Sequence, residues 1–144
     1  MIIGRGGEGI EKLKKEVVKK INKLNLNIFK NIKVAVEEVK SPESHARIIA
    51  QMMAESLEKR LPFRRVLKQA VERAMASKIV KGVKVALQGR LGGSEMGRYE
   101  WLHQGRIPLQ TLRADIDFAR EKAHLPYGDI GIKVWIYRGE IFEK

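Results

Sequence analysis

Glycines and an arginine near the start of the chain form the first group of residues with evident chemistry. Gly4, Arg5, Gly6 and Gly7 form a glycine-rich loop, and a helical pattern begins directly after it. Glycines let a bulky ligand approach the backbone, and the free amides at a helix N-terminus attract anions. With Arg5 in the loop, these residues predict a phosphate-binding site.

The spacing of these glycines fits two motifs. The dinucleotide fingerprint G-x-G-x-x-G needs a preceding strand and an acid about 20 positions later. Three residues precede the loop and residues 19–33 contain no acid, which disfavours that motif. The pattern I-G-x-x-G-x-x-I, from Ile3 to Ile10, is the signature of the KH nucleic-acid module, and it adds Lys12 and Lys15 as RNA-binding candidates. A flexible tail that caps a basic helix is the structural alternative.

A second group of cations lies in the run Phe63-Arg64-Arg65-Val66-Leu67-Lys68. Arg64 and Lys68 are helical neighbours on the face opposite the apolar stripe, and Arg65 lies beside them. Pro62 precedes the run, so both arginines fall in a first helical turn, where the helix dipole favours acids. A role other than helix stability is therefore indicated, and contact with phosphates fits it. A solvated helix face is the alternative.

The sequence offers only weak candidates for catalytic or metal-binding residues. Asp115 and Asp117 share one face of a strand, as a metal-binding pair would, but Arg113 shares that face too, which favours a structural ion-pair cluster. The sequence has no cysteine, and the spacing of its three histidines suggests no metal site or catalytic triad. We therefore expect no catalytic residue, no metal and no cofactor. Trp101 and Trp135 are interpreted as sheet-packing residues rather than base-stacking platforms.

Charge is unevenly distributed along the 144 residues, whose net charge is +12. Residues 1–40 contain 10 basic and 5 acidic side chains, residues 41–90 contain 11 and 4, and residues 91–144 contain 8 and 8. A polyanionic partner explains such segregation better than solubility does. We expect the neutral last third to hold the domain together and to meet protein neighbours.

The elements that position these groups follow from periodicity. We predict a helix after the glycine loop, a strand from about residue 28 to 39, and a helix with Ser41 as N-cap and Pro42 in its first turn. A second helix follows Pro62. Period-two alternation then predicts strands at residues 81–88, 96–103, 111–118 and 130–137. The predicted fold class is α+β, with residues 41–144 forming two layers, two helices on a four-stranded sheet.

Longer blocks carry a family resemblance: GRLGGSE at residues 89–95, GRIPL at 105–109, TLRADID at 111–117 and GIKVWIYRGE at 131–140. Together with the KH signature and the Phe63-Arg64-Arg65 run, they make the chain similar to the ribosomal protein S3 family of the small ribosomal subunit, in its bacterial or organellar form. The resemblance covers essentially all 144 residues. Family members carry about a further half-domain before the glycine loop.

The resemblance implies that residues 1–40 are the C-terminal part of a type II KH domain and residues 41–144 the family's C-terminal α+β domain. Its expected partners are small-subunit ribosomal RNA, messenger RNA and neighbouring small-subunit proteins, with no small-molecule substrate. The GxxG loop maps onto Gly4, Arg5, Gly6 and Gly7. In the family, cations of the FRRxxK helix line the messenger entry channel and assist unwinding, and the resemblance assigns this role to Arg64, Arg65 and Lys68.

Two other functions remain as alternatives at this point. One is a metal-dependent endonuclease that uses Asp115 and Asp117, and the other is a free regulatory KH protein. No apolar run approaches the 18 residues of a membrane span, and the first residues lack a signal-peptide core. We therefore expect a ribosomal protein of the cytoplasm, or of an organellar matrix, without a membrane partner.

Overall fold

The computed structural model describes residues 7–23 and 32–142, apart from the side chain of Asn22. The chain divides into two compact units, residues 1–39 and residues 40–144. In the first unit, helix α1 spans Glu8–Lys23, with Glu8 and Glu11 in the first turn and Lys20 and Lys23 in the last. Both ends therefore complement the helix dipole.

The strand predicted at residues 28–39 is wrong where it can be compared. Residues 32–39 form neither a helix nor a paired strand, and residues 28–31 lie outside the described part. Alternation of apolar residues sets the face of a strand, but a strand also needs a hydrogen-bonding partner. No described residue is a hydrogen-bonding partner of this segment, so its alternating pattern does not produce a strand.

The second unit contains helix α2 at Ala46–Glu58 and helix α3 at Phe63–Ala76. Its strands are β1 at Gly82–Gly89, β2 at Arg98–Gly105, β3 at Ala114–Leu125 and β4 at Gly128–Glu140. These four strands form one antiparallel sheet in the order β2-β1-β4-β3. The predicted two-layer α+β arrangement of two helices and four strands is confirmed. None of the helices in the described residues is long and apolar enough to cross a membrane.

Both helices pack on one face of the sheet, α2 against β3 and β4 and α3 against β1 and β2. The apolar stripe predicted in α3 is confirmed, because Val66, Leu67, Ala70, Val71 and Ala74 are all buried. They meet the alternate residues of the central strands that point towards the helices. Those residues, each at most 2% exposed, are Val83, Val85, Leu87, Ile130, Ile132, Val134 and Ile136.

The start of α2 and the bounds of β3 differ most from the prediction. Ser41 and Pro42 do not begin α2; Pro42–Ser44 form a separate 3₁₀ turn, in which the Ser44 hydroxyl donates to the Ser41 carbonyl at 2.8 Å. Strand β3 begins three residues later than predicted and continues to Leu125. The polar run from Arg120 to His124 conceals that extension, because only Ala119 and Ala123 face the core there.

Candidate nucleic-acid interface

The start of α3 presents three cations to solvent. Pro62 caps the helix through its carbonyl, which accepts from the amides of Arg65 at 2.9 Å and Val66 at 3.1 Å. Arg64 and Arg65 therefore stand in the first turn, as predicted, and Lys68 follows one turn later. All three side chains are exposed because the opposite face of the helix is buried against the sheet.

No carboxylate neutralises these cations within the described ranges, 7–23 and 32–142. Ion pairs there do not involve Arg64, Arg65 or Lys68. Arg64 instead lies over the ring of Phe63, its guanidinium carbon 5.7 Å from the ring centroid. An arginine that contacts an aromatic ring in this way keeps its donors free for an external acceptor such as phosphate.

A fourth cation, Arg60, belongs to the same region, and sequence reasoning missed it. Its φ is +60°, the left-handed region that a helix C-terminus normally gives to glycine. The Arg60 amide donates to the Leu57 carbonyl at 2.8 Å and the Leu61 amide to the Ser56 carbonyl at 3.2 Å, which is the bonding of a Schellman motif. The Arg60 side chain lines a depression of about 410 Å³ together with Phe63 and Arg90.

We expect Arg60→Gly to raise the free energy of unfolding by about 1 kcal/mol, because glycine adopts positive φ without strain. The same change should weaken RNA binding because it removes a charge from this region. Arg60→Ala is the matched control, since it removes the charge but keeps the strain. Denaturant titration and RNA titration of both variants check this. Wild-type RNA affinity in both variants would exclude Arg60 from the interface.

The glycine-loop candidates fall mostly outside the described residues. Gly4, Arg5 and Gly6 are not among them, while Gly7 precedes α1 with a φ of +84°. A Cβ at that position would meet nothing within 4 Å. Glycine is therefore favoured there by the positive φ and not by a lack of space for a side chain. Lys12 and Lys15 are exposed on α1.

The aspartate pair is used within the fold. Asp117 accepts from the Ala46 amide at 2.8 Å and from Arg138 at 2.8 Å. Arg138 also lies 4.0 Å from Asp115, so the predicted ion-pair cluster is present. Its cation is Arg138 and not Arg113, which pairs with Glu140 at 2.7 Å. A β-bulge between Asp115 and Ile116 shifts the register of β3 and β4, and sequence spacing does not show it.

This arrangement gives no support to the endonuclease alternative. A metal-dependent nuclease needs carboxylates that are free to bind a cation. One Asp117 oxygen already accepts from a helix amide and an arginine. Over residues 7–23 and 32–142, no three His, Asp or Glu side chains come close enough to hold a metal ion.

Comparison with known proteins places the chain in a family. The profile described as "Ribosomal protein S3, C-terminal domain" matches residues 53–136. The small ribosomal subunit protein uS3 of Clostridium novyi is 52% identical over 141 residues, covering 98% of this chain and 61% of the relative. That of Clostridium tetani is 53% identical, with the same coverage. The chain thus spans about 61% of the length of these relatives. It belongs to the ribosomal protein S3 family.

Proposed function

We propose that the chain is a constituent of the small ribosomal subunit head, where it binds small-subunit ribosomal RNA and contacts neighbouring ribosomal proteins without catalysing a reaction. Its support is the 52% identity, over 98% of the chain, to relatives that are themselves named small ribosomal subunit proteins. The net charge of +12 is consistent with a polyanionic partner.

Messenger RNA is the proposed partner of Arg64, Arg65 and Lys68. The observation that carries this assignment is their exposure, without a carboxylate partner in the described residues, in the first two turns of α3. Two arginines near the positive end of the helix dipole reduce its stability, so a selective advantage elsewhere is needed to explain them. Neutralisation of a passing phosphate chain would provide that advantage.

The glycine loop and α1 are proposed to bind ribosomal RNA as the C-terminal part of a type II KH domain. Gly4, Arg5, Gly6 and Gly7 would let the sugar-phosphate backbone approach, and Lys12 and Lys15 would neutralise phosphates beside it. The signature from Ile3 to Ile10 and the exposed lysines of α1 support this assignment.

Such binding is electrostatic, and its dependence on salt should be steep. Each phosphate that a cation neutralises releases bound counterions, so the affinity falls as the salt concentration rises. Contacts with phosphates position an RNA strand without reading its sequence. A protein that lines a channel for many different messengers needs this kind of contact.

The channel role predicts a specific defect for the triple variant Arg64→Ala, Arg65→Ala and Lys68→Ala. Subunits that contain it should assemble but move more slowly through a messenger hairpin, while unstructured messengers are read at the normal rate. The protein itself should be no less stable, since removing each arginine relieves about 0.3 to 1 kcal/mol of dipole repulsion. Single-ribosome or bulk translation of paired reporters measures the difference.

The matched control neutralises Lys40, Lys78 and Arg106, which are three exposed cations of the same unit. We call this variant the control triple, and it should leave hairpin passage unchanged. If the variant that lacks Arg64, Arg65 and Lys68 passes the hairpin at the same rate as the control triple, the channel role is refuted. Assembly itself is tested by sedimentation at low salt, where electrostatic contacts are strongest: the chain should remain with the small subunit, and its loss there would contradict ribosomal membership.

A further inference from the structure

The face of the sheet that the helices do not cover has a composition of its own. Its side chains alternate with the buried residues of each strand, and we call it the outer face. Ala86 lies at its centre, opposite Trp101 on β2 and Lys133 on β4. The outer face comprises Lys84, Ala86 and Gln88 of β1, Tyr99, Trp101 and His103 of β2, Phe118, Arg120 and Lys122 of β3, and Gly131, Lys133 and Trp135 of β4.

The outer face carries cations and almost no acids. Its four cations are Lys84, Arg120, Lys122 and Lys133. Over residues 82–137, all of which the structure describes, the strands place their acids on the helix-covered side, except Asp129 at the β3–β4 turn. The Asp129 carboxylate lies within hydrogen-bonding distance of the His124 ring, 2.8 Å from its Nδ1. Equal numbers of acids and bases in the last third therefore conceal an outer face that carries three of the cations, Arg120, Lys122 and Lys133, and one acid.

Three of these cations repel one another. Arg120 lies directly opposite Lys133 across β3 and β4, and Lys122 lies two residues along the same face, opposite Gly131. Like charges on directly opposed strand positions destabilise a sheet. These charges therefore lower the stability of the sheet, just as Arg64 and Arg65 lower that of α3. Such placement indicates that the charges serve to bind an external anion.

Exposed aromatic rings lie beside these cations. Tyr99 is 51% exposed, Trp101 50% and Phe118 48%. The Lys84 Nζ lies 5.3 Å from the ring centroid of Trp101 and 5.4 Å from that of Trp135, which holds it between the two rings. Trp135 packs on Phe118, as expected of a sheet-packing residue, whereas half of Trp101 is open to solvent.

A depression of about 610 Å³ lies between Tyr99 and three of these cations. Ala86 and Gly131 form part of its floor, because they have the smallest side chains on this face. Tyr99 lines it from β2, while Arg120, Lys122 and Lys133 line it from β3 and β4, together with Glu121. Small residues at the floor leave room for a flat group between an aromatic ring and three cations.

We propose that the outer face binds an unpaired stretch of RNA, separately from the cations of α3. Bases stack on the exposed rings of Tyr99 and Trp101, and Arg120, Lys122 and Lys133 neutralise the adjoining phosphates. Unpaired RNA is favoured over a protein partner because the face combines base-sized aromatic surfaces with a cluster of cations whose neighbouring carboxylate, that of Glu121, is already paired with Arg47 at 2.8 Å. The proposal rests on the proposed function only in that the partner is RNA.

The first test removes the charges with Arg120→Gln, Lys122→Gln and Lys133→Gln in the full chain. Binding of a single-stranded oligouridine should weaken at least tenfold, and the slope of log affinity against log salt should fall by about 2, as for three phosphates on a single strand. Stability should stay the same or rise, because the like-charge repulsion is removed. The control triple should change neither the affinity nor the stability by a comparable amount.

The second test removes the stacking surface with Trp101→Leu. It should weaken binding of oligouridine about tenfold and binding of a duplex of equal length much less, because paired bases cannot stack on the sheet. Small-subunit ribosomal RNA and an unstructured messenger, compared as competitors, identify the natural source of the strand. Both tests are repeated with Arg64, Arg65 and Lys68 already neutralised, so that failure of the α3 assignment is distinguishable from failure of this one.

Unchanged oligouridine affinity in both the charge variant and Trp101→Leu would overturn the proposal, whatever the α3 variant does. Equal weakening for single-stranded and duplex RNA would overturn the stacking role. Loss of a protein neighbour from the subunit, with RNA affinity intact, would instead assign the outer face to a protein contact and would also overturn it.

Discussion

Replacing Asp117 with alanine lowers the free energy of unfolding by about 2 to 3 kcal/mol, because two donors lose their acceptor. The carboxylate accepts from the Ala46 amide at the start of α2 and from Arg138, both at 2.8 Å. It therefore caps a helix from a strand 71 residues further along the chain. Arg138 also donates to the Ser44 carbonyl at 3.1 Å, so its displacement loosens the 3₁₀ turn as well.

Equilibrium denaturation followed by tryptophan fluorescence measures this loss, because both tryptophans lie on the sheet of the second unit. The melting temperature should fall by about 10 °C or more for a unit of this size. Asp117→Asn is the matched control, since its amide oxygen still accepts from Ala46 while the charge opposite Arg138 is lost; it should cost about half as much. If the Asp117→Ala protein has the same free energy of unfolding as the wild type, the prediction is wrong, and water satisfies the Ala46 amide and Arg138 equally well.

Replacing Gly82 with alanine has an effect at least as large, because the added methyl group has no space. Gly82 begins β1 opposite Gly105, and a Cβ there would meet the backbone of Arg106 at its carbonyl oxygen, carbonyl carbon and amide nitrogen. Backbone atoms cannot rotate aside as a flexible side chain can. The end of β2 would have to separate from β1, at a cost of about 3 kcal/mol or more.

The control for this prediction is Gly97→Ala, in the segment before β2. The nearest atom to an added Cβ there is the Gly89 carbonyl oxygen at 3.8 Å, which is an ordinary contact. Denaturant midpoints of the two variants, compared at equal m-values, should therefore separate clearly. Similar midpoints would show that the β1–β2 pairing can absorb a methyl group at this point.

The pattern within a single segment predicted the structure correctly wherever neighbouring residues determine both the type of element and the face that it exposes. The stripe from Val66 to Ala74 predicted α3 correctly, and the opposite face of that helix had to carry Arg64, Arg65 and Lys68. Period-two alternation likewise located β1 and the centre of β4. These features depend on residues three, four or two positions apart, so the sequence contains all the information that fixes them.

Local pattern failed where the partner is distant. Residues 32–39 alternate as a strand does, yet no described residue pairs with them. Ser41 has the side chain of an N-cap, but the cap of α2 comes from Asp117, and Arg138 replaces the expected Arg113 because a bulge shifts the register. Pairing, capping and register are decided by segments far apart in the chain, which periodicity within one segment does not report.

By itself, the sequence determined that the protein has a basic first part, an α3 helix with three exposed cations, and a two-layer α+β unit of the ribosomal protein S3 family. The tertiary structure alone decided which side of each strand the helices cover. That choice left Arg120, Lys122 and Lys133 on the outer face beside open aromatic rings, in a last third whose 8 bases and 8 acids suggest no charged face. The physical reason is that alternation tells which residues share a face, but only packing tells which face is left to solvent.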